Sequence, residues 1–243
     1  LSATPSESQP PEPAADAAAD AYTGEVYVGG PVDVRQLPGL LIAKLAVGKM
    51  SNNAYLLRDA ATGDALLIDA ADEPEKLLAL AMLGAPDHTD SQLRWIVTTH
   101  QHFDHVGALA ALVAASGAST AAGAPDAPEL PAPVDRPLEH GDTIQLGDSA
   151  LEVIQLRGHT PGSVALLYRD PSGDAHLFTG DSLFPGGVGK TWAEPDFDSL
   201  IDDVERRIFD VLPDGTWFYP GHGNDSTLGA ERPHLAEWRA RRW

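Results

Sequence analysis

Thr98-Thr99-His100-Gln101-His102-Phe103-Asp104-His105 packs three imidazoles and a carboxylate into six residues. The apolar run before it, Leu93 to Thr98, reads as a buried strand. Polar side chains gathered at the end of such a strand are costly to desolvate unless something binds them. A metal ion is the partner that takes several imidazoles at once. The stretch therefore reads as the foundation of a dinuclear metal site whose other ligands must come from elsewhere in the chain.

Composition narrows the chemistry. The chain has 243 residues, no cysteine, and 36 Asp and Glu against 16 Lys and Arg, for a formal net charge of −20. Without thiolates, any metal must take imidazole and carboxylate ligands. The acidic balance speaks against a nucleic-acid partner, which needs a basic face to displace counterions. The longest apolar run, Leu37 to Met50, contains Lys44 and two glycines and is too short to span a bilayer. The expectation is a small-molecule substrate, no nucleic-acid or membrane partner, and a cytoplasmic location. A chain that starts at Leu1 leaves a removed leader open, and the oligomeric state is open as well.

Residues 1–21 are Ala, Pro, Ser and acid without apolar period, and read as a disordered tail. Strands are expected at Val26–Val28, Leu40–Leu45, Asn53–Leu57 and Ala65–Ile68, the last two forming a hairpin across Asp59 to Asp64. A helix follows, with Asp72 as its N-cap, Pro74 in its first turn and Gly84 as its stop. A second helix, Val106 to Ala115, is expected to start directly after His105, and Ala121 to Pro137, rich in Ala and Pro, reads as a surface loop. Thr143–Leu146 and Ala150–Leu156 flank the hairpin turn Gly147-Asp148. Strands at Ser163–Tyr168, Ala175–Thr179 and Thr216–Tyr219 complete the set. Between the last two, Asp198 to Leu212 is the strongest helix, with Leu200, Ile201, Val204, Ile208 and Val211 as its apolar stripe. Asp202–Arg206 and Asp203–Arg207 lie four apart on its expected wet side.

Four segments end an apolar strand with a candidate ligand: the opening stretch, then His159, Asp181 and His222, each of the last three beside a glycine. A lone histidine next to glycine is an ordinary loop residue. Their joint occurrence with His-x-His-x-Asp-His is what points to metal. The pattern His100-x-His102-x-Asp104-His105, then Gly158-His159-Thr160, Gly180-Asp181-Ser182 and Gly221-His222-Gly223, resembles the metallo-β-lactamase superfamily over almost all of Val34 to Pro233. That resemblance implies an α+β fold, a four-layer αββα sandwich occupying residues 22–243, with the metals at one edge of its two sheets. It also implies that His100, His102 and His159 hold one ion, that Asp104, His105 and His222 hold the other, and that Asp181 bridges them.

Asp181 as a bridging carboxylate points away from the true β-lactamases. Gly180-Asp181-Ser182-Leu183-Phe184-x-Gly186-Gly187-x-Gly189-Lys190 and Ser226-Thr227-Leu228-Gly229-x-Glu231-Arg232 resemble glyoxalase II and its compact bacterial relatives. These are thiolester hydrolases acting on glutathione conjugates. The resemblance implies two divalent ions, zinc first with iron or manganese as alternatives, and attack by a metal-bridging hydroxide. Asp104 becomes the candidate catalytic residue that orients the nucleophile, and Lys190 and Trp192 the candidate substrate contacts. Trp192 stands where the longer enzymes carry a tyrosine. A lactonase or other esterase of the same fold, and an iron-dependent persulfide dioxygenase, are the rival readings. The dioxygenases commonly carry Cys where this chain has Ser163, which favours hydrolysis. His88, His140, His176 and His234 read as surface or turn residues, and Trp238 to Trp243 as an amphipathic run docked on the sandwich.

Overall fold

The computed structural model describes residues 22–85 and 92–243; the expected tail and His88 lie outside the described residues. The first sheet contains β1 (Asp33–Leu37), β2 (Leu40–Val47), β3 (Asn52–Asp59), β4 (Ala65–Ile68), β5 (Leu93–Thr98), β6 (Ser119–Gly123) and β7 (Arg136–Leu138), side by side in chain order. Its strands are antiparallel up to β4 and parallel from β4 to β7. Helix α1 (Pro74–Ala81) lies between β4 and β5 in the chain, and α2 (Leu109–Ser116) between β5 and β6. Parallel neighbours require such crossovers.

The second sheet contains β8 (Thr143–Leu146), β9 (Ser149–Gln155), β10 (Val164–Arg169) and β11 (Ala175–Gly180). A small hairpin, β12 (Leu183–Phe184) with β13 (Gly187–Val188), and helix α3 (Glu194–Val204) then lead to β14 (Trp217–Pro220), which lies parallel to β11. Strand β15 (Ser226–Thr227), α4 (Leu228–Glu231) and α5 (Leu235–Arg241) close the chain, and the sheet order is β15-β14-β11-β10-β9-β8.

Alternation along the strands builds three cores, and hence four layers. On β4, Ala65 and Leu67 face α1 and α2, while Leu66 and Ile68 face the second sheet. On β10, Val164, Leu166 and Tyr168 meet that same inter-sheet core, while Ala165 and Leu167 face α3. Both faces of these strands are covered, so their sequences read as unbroken apolar runs rather than alternating ones. Truncating a fully buried leucine such as Leu66 or Leu166 to alanine costs about 2–5 kcal/mol. The αββα sandwich expected from the motifs is the observed fold.

Several local expectations are corrected. Val26–Val28 forms no strand. Asp72 does not cap α1; it accepts the amide of Glu73, which enters the helix in the left-handed region. After His105 the helix is delayed to Leu109, since residues 103–105 form a 3₁₀ turn and Gly107 passes against the Ala71 carbonyl. Residues 121–137 are not merely a surface loop: they contain the end of β6, a 3₁₀ turn at Ala127–Glu129 and the start of β7. Helix α3 continues into a π-helical turn, Glu205–Phe209. The wider turn shifts the apolar phase, so Phe209 is buried and Val211 is 63% exposed. The two Asp–Arg pairs form, but Asp203 is buried because Arg157 reaches it from the second sheet. His176 is no surface residue: it sits on β11 inside the protein, where Nδ1 meets the Tyr219 hydroxyl. At the C-terminus Trp238 docks on the α3 core, as expected, while Trp243 stays exposed.

Candidate metal centre

Strand ends deliver the candidate ligands. Strand β5 ends at Thr98 and leads into His100–His105; the β9–β10 connection carries His159; β11 leads into Asp181, and β14 into His222. Open sheets with parallel strands collect ligands at these carboxyl ends. The four loops converge only because two glycines let them. Gly158 has φ +138°, and a Cβ there would meet the Asp196 carbonyl; a Cβ on Gly221 would strike the Asp181 carboxylate.

All seven expected ligands come together. His100, His102 and His159 form one group whose ligand atoms lie within 4.8 Å of each other, and Asp104, His105 and His222 form another. Asp181 stands between the two. Its Oδ1 is 3.4 Å from His105 Nε2, and its Oδ2 is 3.6 Å from His222 Nε2 and 3.8 Å from His159 Nε2. Asp104 Oδ2 is 3.4 Å from His222 Nε2 and 3.6 Å from His105 Nε2, and accepts a hydrogen bond from Asn52 Nδ2 at 2.9 Å.

The imidazoles are oriented from behind. Nδ1 of His105 is held by Asp69 at 2.8 Å, Nδ1 of His159 by the Lys190 carbonyl at 2.8 Å, and Nδ1 of His222 by the Met50 carbonyl at 3.1 Å; His100 Nδ1 meets Thr99 Oγ1 at 3.1 Å. Donation from Nδ1 to these carbonyls and to Asp69 leaves the Nε2 lone pairs aimed inward, the arrangement that metal-binding histidines use. Asp69 is itself fixed by the Thr99 amide and hydroxyl at 2.7 and 2.8 Å.

Charge in the centre is set for a cation. Burial, then the neighbouring imidazoles, hold His100 well below the ordinary histidine range; burial likewise lowers His102 and His159. Neutral imidazole is the ligand form. Burial also opposes charge on His105, but Asp69 and Asp181 outweigh it and push that group up to about 10. Burial would raise Asp181, yet the surrounding histidines, His105 first, hold it below its usual value. Among the described residues, His100 Nε2, His159 Nε2 and Asp181 Oδ1 are buried without a hydrogen-bond partner. An unsatisfied buried polar atom costs about 1–3 kcal/mol, so three in one place, all ligand atoms, fit metal ions. The donor set suits zinc, iron or manganese alike.

Beside the three-histidine group lies a cleft of about 500 Å³, lined by Gln101, His102, Arg157, His159, Trp192 and Asp196 among others. Trp192 is 62% exposed, and its ring centroid lies 5.3 Å from that of His102 and 5.7 Å from that of His159. The Lys190 ammonium lies 5.6 Å from the Trp192 ring centre. Arg157, on the cleft wall, is clamped by Asp203 through Nε and Nη2, both at 2.8 Å.

The sequence did not mark Asn52, Lys44 or Asp126 for any role here. Lys44 is buried on β2 and donates to the carbonyls of Gly24 and Gly223 and to Asp225, tying down the His222 loop. Asp69 carried a faint signal, an acid closing an apolar strand as the ligands do. Lys44 and Asp126 carried none, because their partners are remote in the chain.

Comparisons with known proteins agree with this geometry. The profile of the metallo-beta-lactamase superfamily matches residues 47–222. A hydroxyacylglutathione hydrolase of Rhizobium meliloti is 35% identical over 174 residues, covering 72% of this chain and 63% of the relative. The chain spans about half to two thirds of the length of the first hydroxyacylglutathione hydrolases that it matches. Among solved structures, TTHA1623 in a di-iron-bound form is 37% identical, with TM-score 0.63 over 78% of this chain and 96% of that one. ETHE1 from Myxococcus xanthus is 29% identical, with TM-score 0.67 over 80% and 82%. With the profile spanning every strand end that feeds the centre, from the end of β2 to His222, this chain belongs to the metallo-beta-lactamase superfamily.

Proposed function

We propose that the chain is a metal-dependent hydrolase of a small thiolester, with His100, His102 and His159 holding one divalent ion, Asp104, His105 and His222 holding a second, and Asp181 bridging them. The observation that carries this reading is the position of Asp181, within 4 Å of imidazoles from both groups. A pair of divalent ions so held supplies an activated water near neutral pH and positive charge for a developing oxyanion.

The chain's own residues do the rest. Asn52 fixes the Asp104 carboxylate, so that Asp104 holds a nucleophilic water in line and receives its proton. Trp192 presents a flat apolar wall beside His102 and His159, which orients the thiol or acyl portion of the substrate. Lys190 adds a positive charge at that wall in an otherwise acidic protein. The named hydroxyacylglutathione hydrolases among its relatives support a thiolester over a lactone. Against the persulfide dioxygenase reading, Ser163 stands where a cysteine is common, and its hydroxyl is spent on Thr160.

The test is metal analysis of purified protein joined to a substrate screen. Two ions per chain and turnover of S-lactoylglutathione or another thiolester support the reading. One iron per chain, with oxygen consumption on glutathione persulfide, overturns it.

A further inference from the structure

The geometry points to Asp126 as the residue that sets the spacing of the three-imidazole half of the centre, because it bonds at once to both loops that supply those imidazoles; the inference rests on the metal reading above. Asp126 lies just past β6, in the stretch that looked from its Ala and Pro content like a surface loop, and it is fully buried. Its Oδ2 accepts the Gln101 amide at 3.0 Å and the Thr160 hydroxyl at 2.5 Å, and its Oδ1 accepts the Gly162 amide at 2.7 Å.

The placement of these donors is what matters. Gln101 sits between His100 and His102, after β5 of the first sheet, whereas Thr160 follows His159 in the β9–β10 connection of the second. One carboxylate thus spans the gap between the two sheets at the height of three imidazole ligands. A carboxylate offers about four lone-pair sites over two oxygens, which is what three converging donors require. No Lys, Arg or His among the described residues forms an ion pair with it, so its polar partners are these three donors. The approach is close: a Cβ on Gly162 would lie 2.5 Å from the Asp126 amide nitrogen, and one on Gly123 would collide with the Gly162 carbonyl. Thr160 is braced in turn, its hydroxyl 2.6 Å from that of Ser163.

The other half of the centre is held differently. Asp69 orients His105, Asn52 holds Asp104, and the Met50 carbonyl holds His222. Removing Asp126 should therefore act on one metal position and spare the other, which general loosening of the fold would not do. Asp126 is a positioning residue, acting through His100, His102 and His159.

The experiment is chelator-competition titration of the apo protein with Zn(II), and with Co(II) followed by its absorption spectrum. It compares the unaltered chain, Asp126→Asn, Thr160→Val, and His159→Ala as the marker of the three-histidine step. The expected result is that Asp126→Asn weakens the step that His159→Ala abolishes by about 10–100-fold, with the other step within twofold. Thr160→Val, which deletes one of the three bonds, weakens the same step by less. The inference is overturned if both steps weaken together, or if neither moves. Should Asp126→Asn fail to fold, Thr160→Val decides alone, and an unchanged His159-dependent step overturns the inference. Fewer than two ions on the unaltered chain would instead count against the dinuclear reading, and any ion remaining in the three-histidine position still reports on Asp126.

Discussion

The Nε2 atoms of His105 and His222 lie 3.3 Å apart, while Nδ1 of the first is held by Asp69 and Nδ1 of the second by the Met50 carbonyl. In the neutral, metal-binding form each ring carries its proton on Nδ1, and a cation held between the two Nε2 atoms would displace the proton that Asp69 and Asp181 otherwise keep on His105. Asp69 is what fixes the His105 side of this arrangement. Asp69→Asn should weaken binding of the ion at Asp104, His105 and His222 by about 10–100-fold. Isothermal titration of the apo variant checks this, and affinity equal to the unaltered chain would remove Asp69 from that role.

Asp181→Asn removes the carboxylate charge at the point shared by the two groups. Metal content after dialysis should drop from two ions towards one, with turnover falling by about 100-fold or more, since the metal pair supplies several kcal/mol of charge stabilisation. Elemental analysis and steady-state kinetics together decide it. A variant that keeps both ions and full activity would show that the carboxylate does not bridge.

Trp192 is exposed and touches the histidines only ring to ring, so its loss should not disturb the fold. Trp192→Ala is expected to raise KM for a thiolester by about 3–10-fold, the size of one aromatic contact, with kcat and metal content little changed. A fall in kcat at constant KM would place the residue in the chemistry instead of in binding.

His176 makes a separate statement about pH. Burial, then the Arg35 guanidinium, lowers its pKa from an ordinary 6.5 to about 4. In the fold Arg35 donates to the Tyr219 oxygen, and Tyr219 in turn meets His176 Nδ1, so the imidazole is an acceptor and neutral. The unfolded chain therefore takes up the proton first. The stability that comes from keeping His176 neutral is complete above about pH 6.5 and is lost as pH falls through 4, at most about 3 kcal/mol. Urea midpoints of His176→Gln should show a shallower decline than the unaltered chain between pH 6.5 and 4. Parallel curves across that window would contradict the assignment.

What the sequence disclosed follows from which interactions are local. Most of the buried strands, the hairpin turn at Gly147-Asp148 and the ligands beside glycines are each written into a few consecutive residues and were legible; β6, short and made of Ser, Thr, Ala and Gly, was not. The start of α2 was not, because Gly107 must first pass the Ala71 carbonyl, a contact across elements. Val211 was misplaced because the apolar period cannot show a π-helical turn that shifts its phase. Asp203 and His176 were read as wet because their partners, Arg157 and Tyr219, are distant in the chain. The same remoteness hid Asp126, whose donors lie 25 to 36 residues away.

His105 and His222, which meet at the centre, are 117 residues apart in the chain. Neither metal position can be completed by a local segment, because each draws on both sheets. A growing or refolding chain can offer an ion only the His100–His105 stretch until the two sheets have docked. If the centre takes metal as proposed, tight capture would be a late event that reports finished assembly, and a bound ion would act as a bolt across the sandwich, stabilising the assembled state over every partly built one.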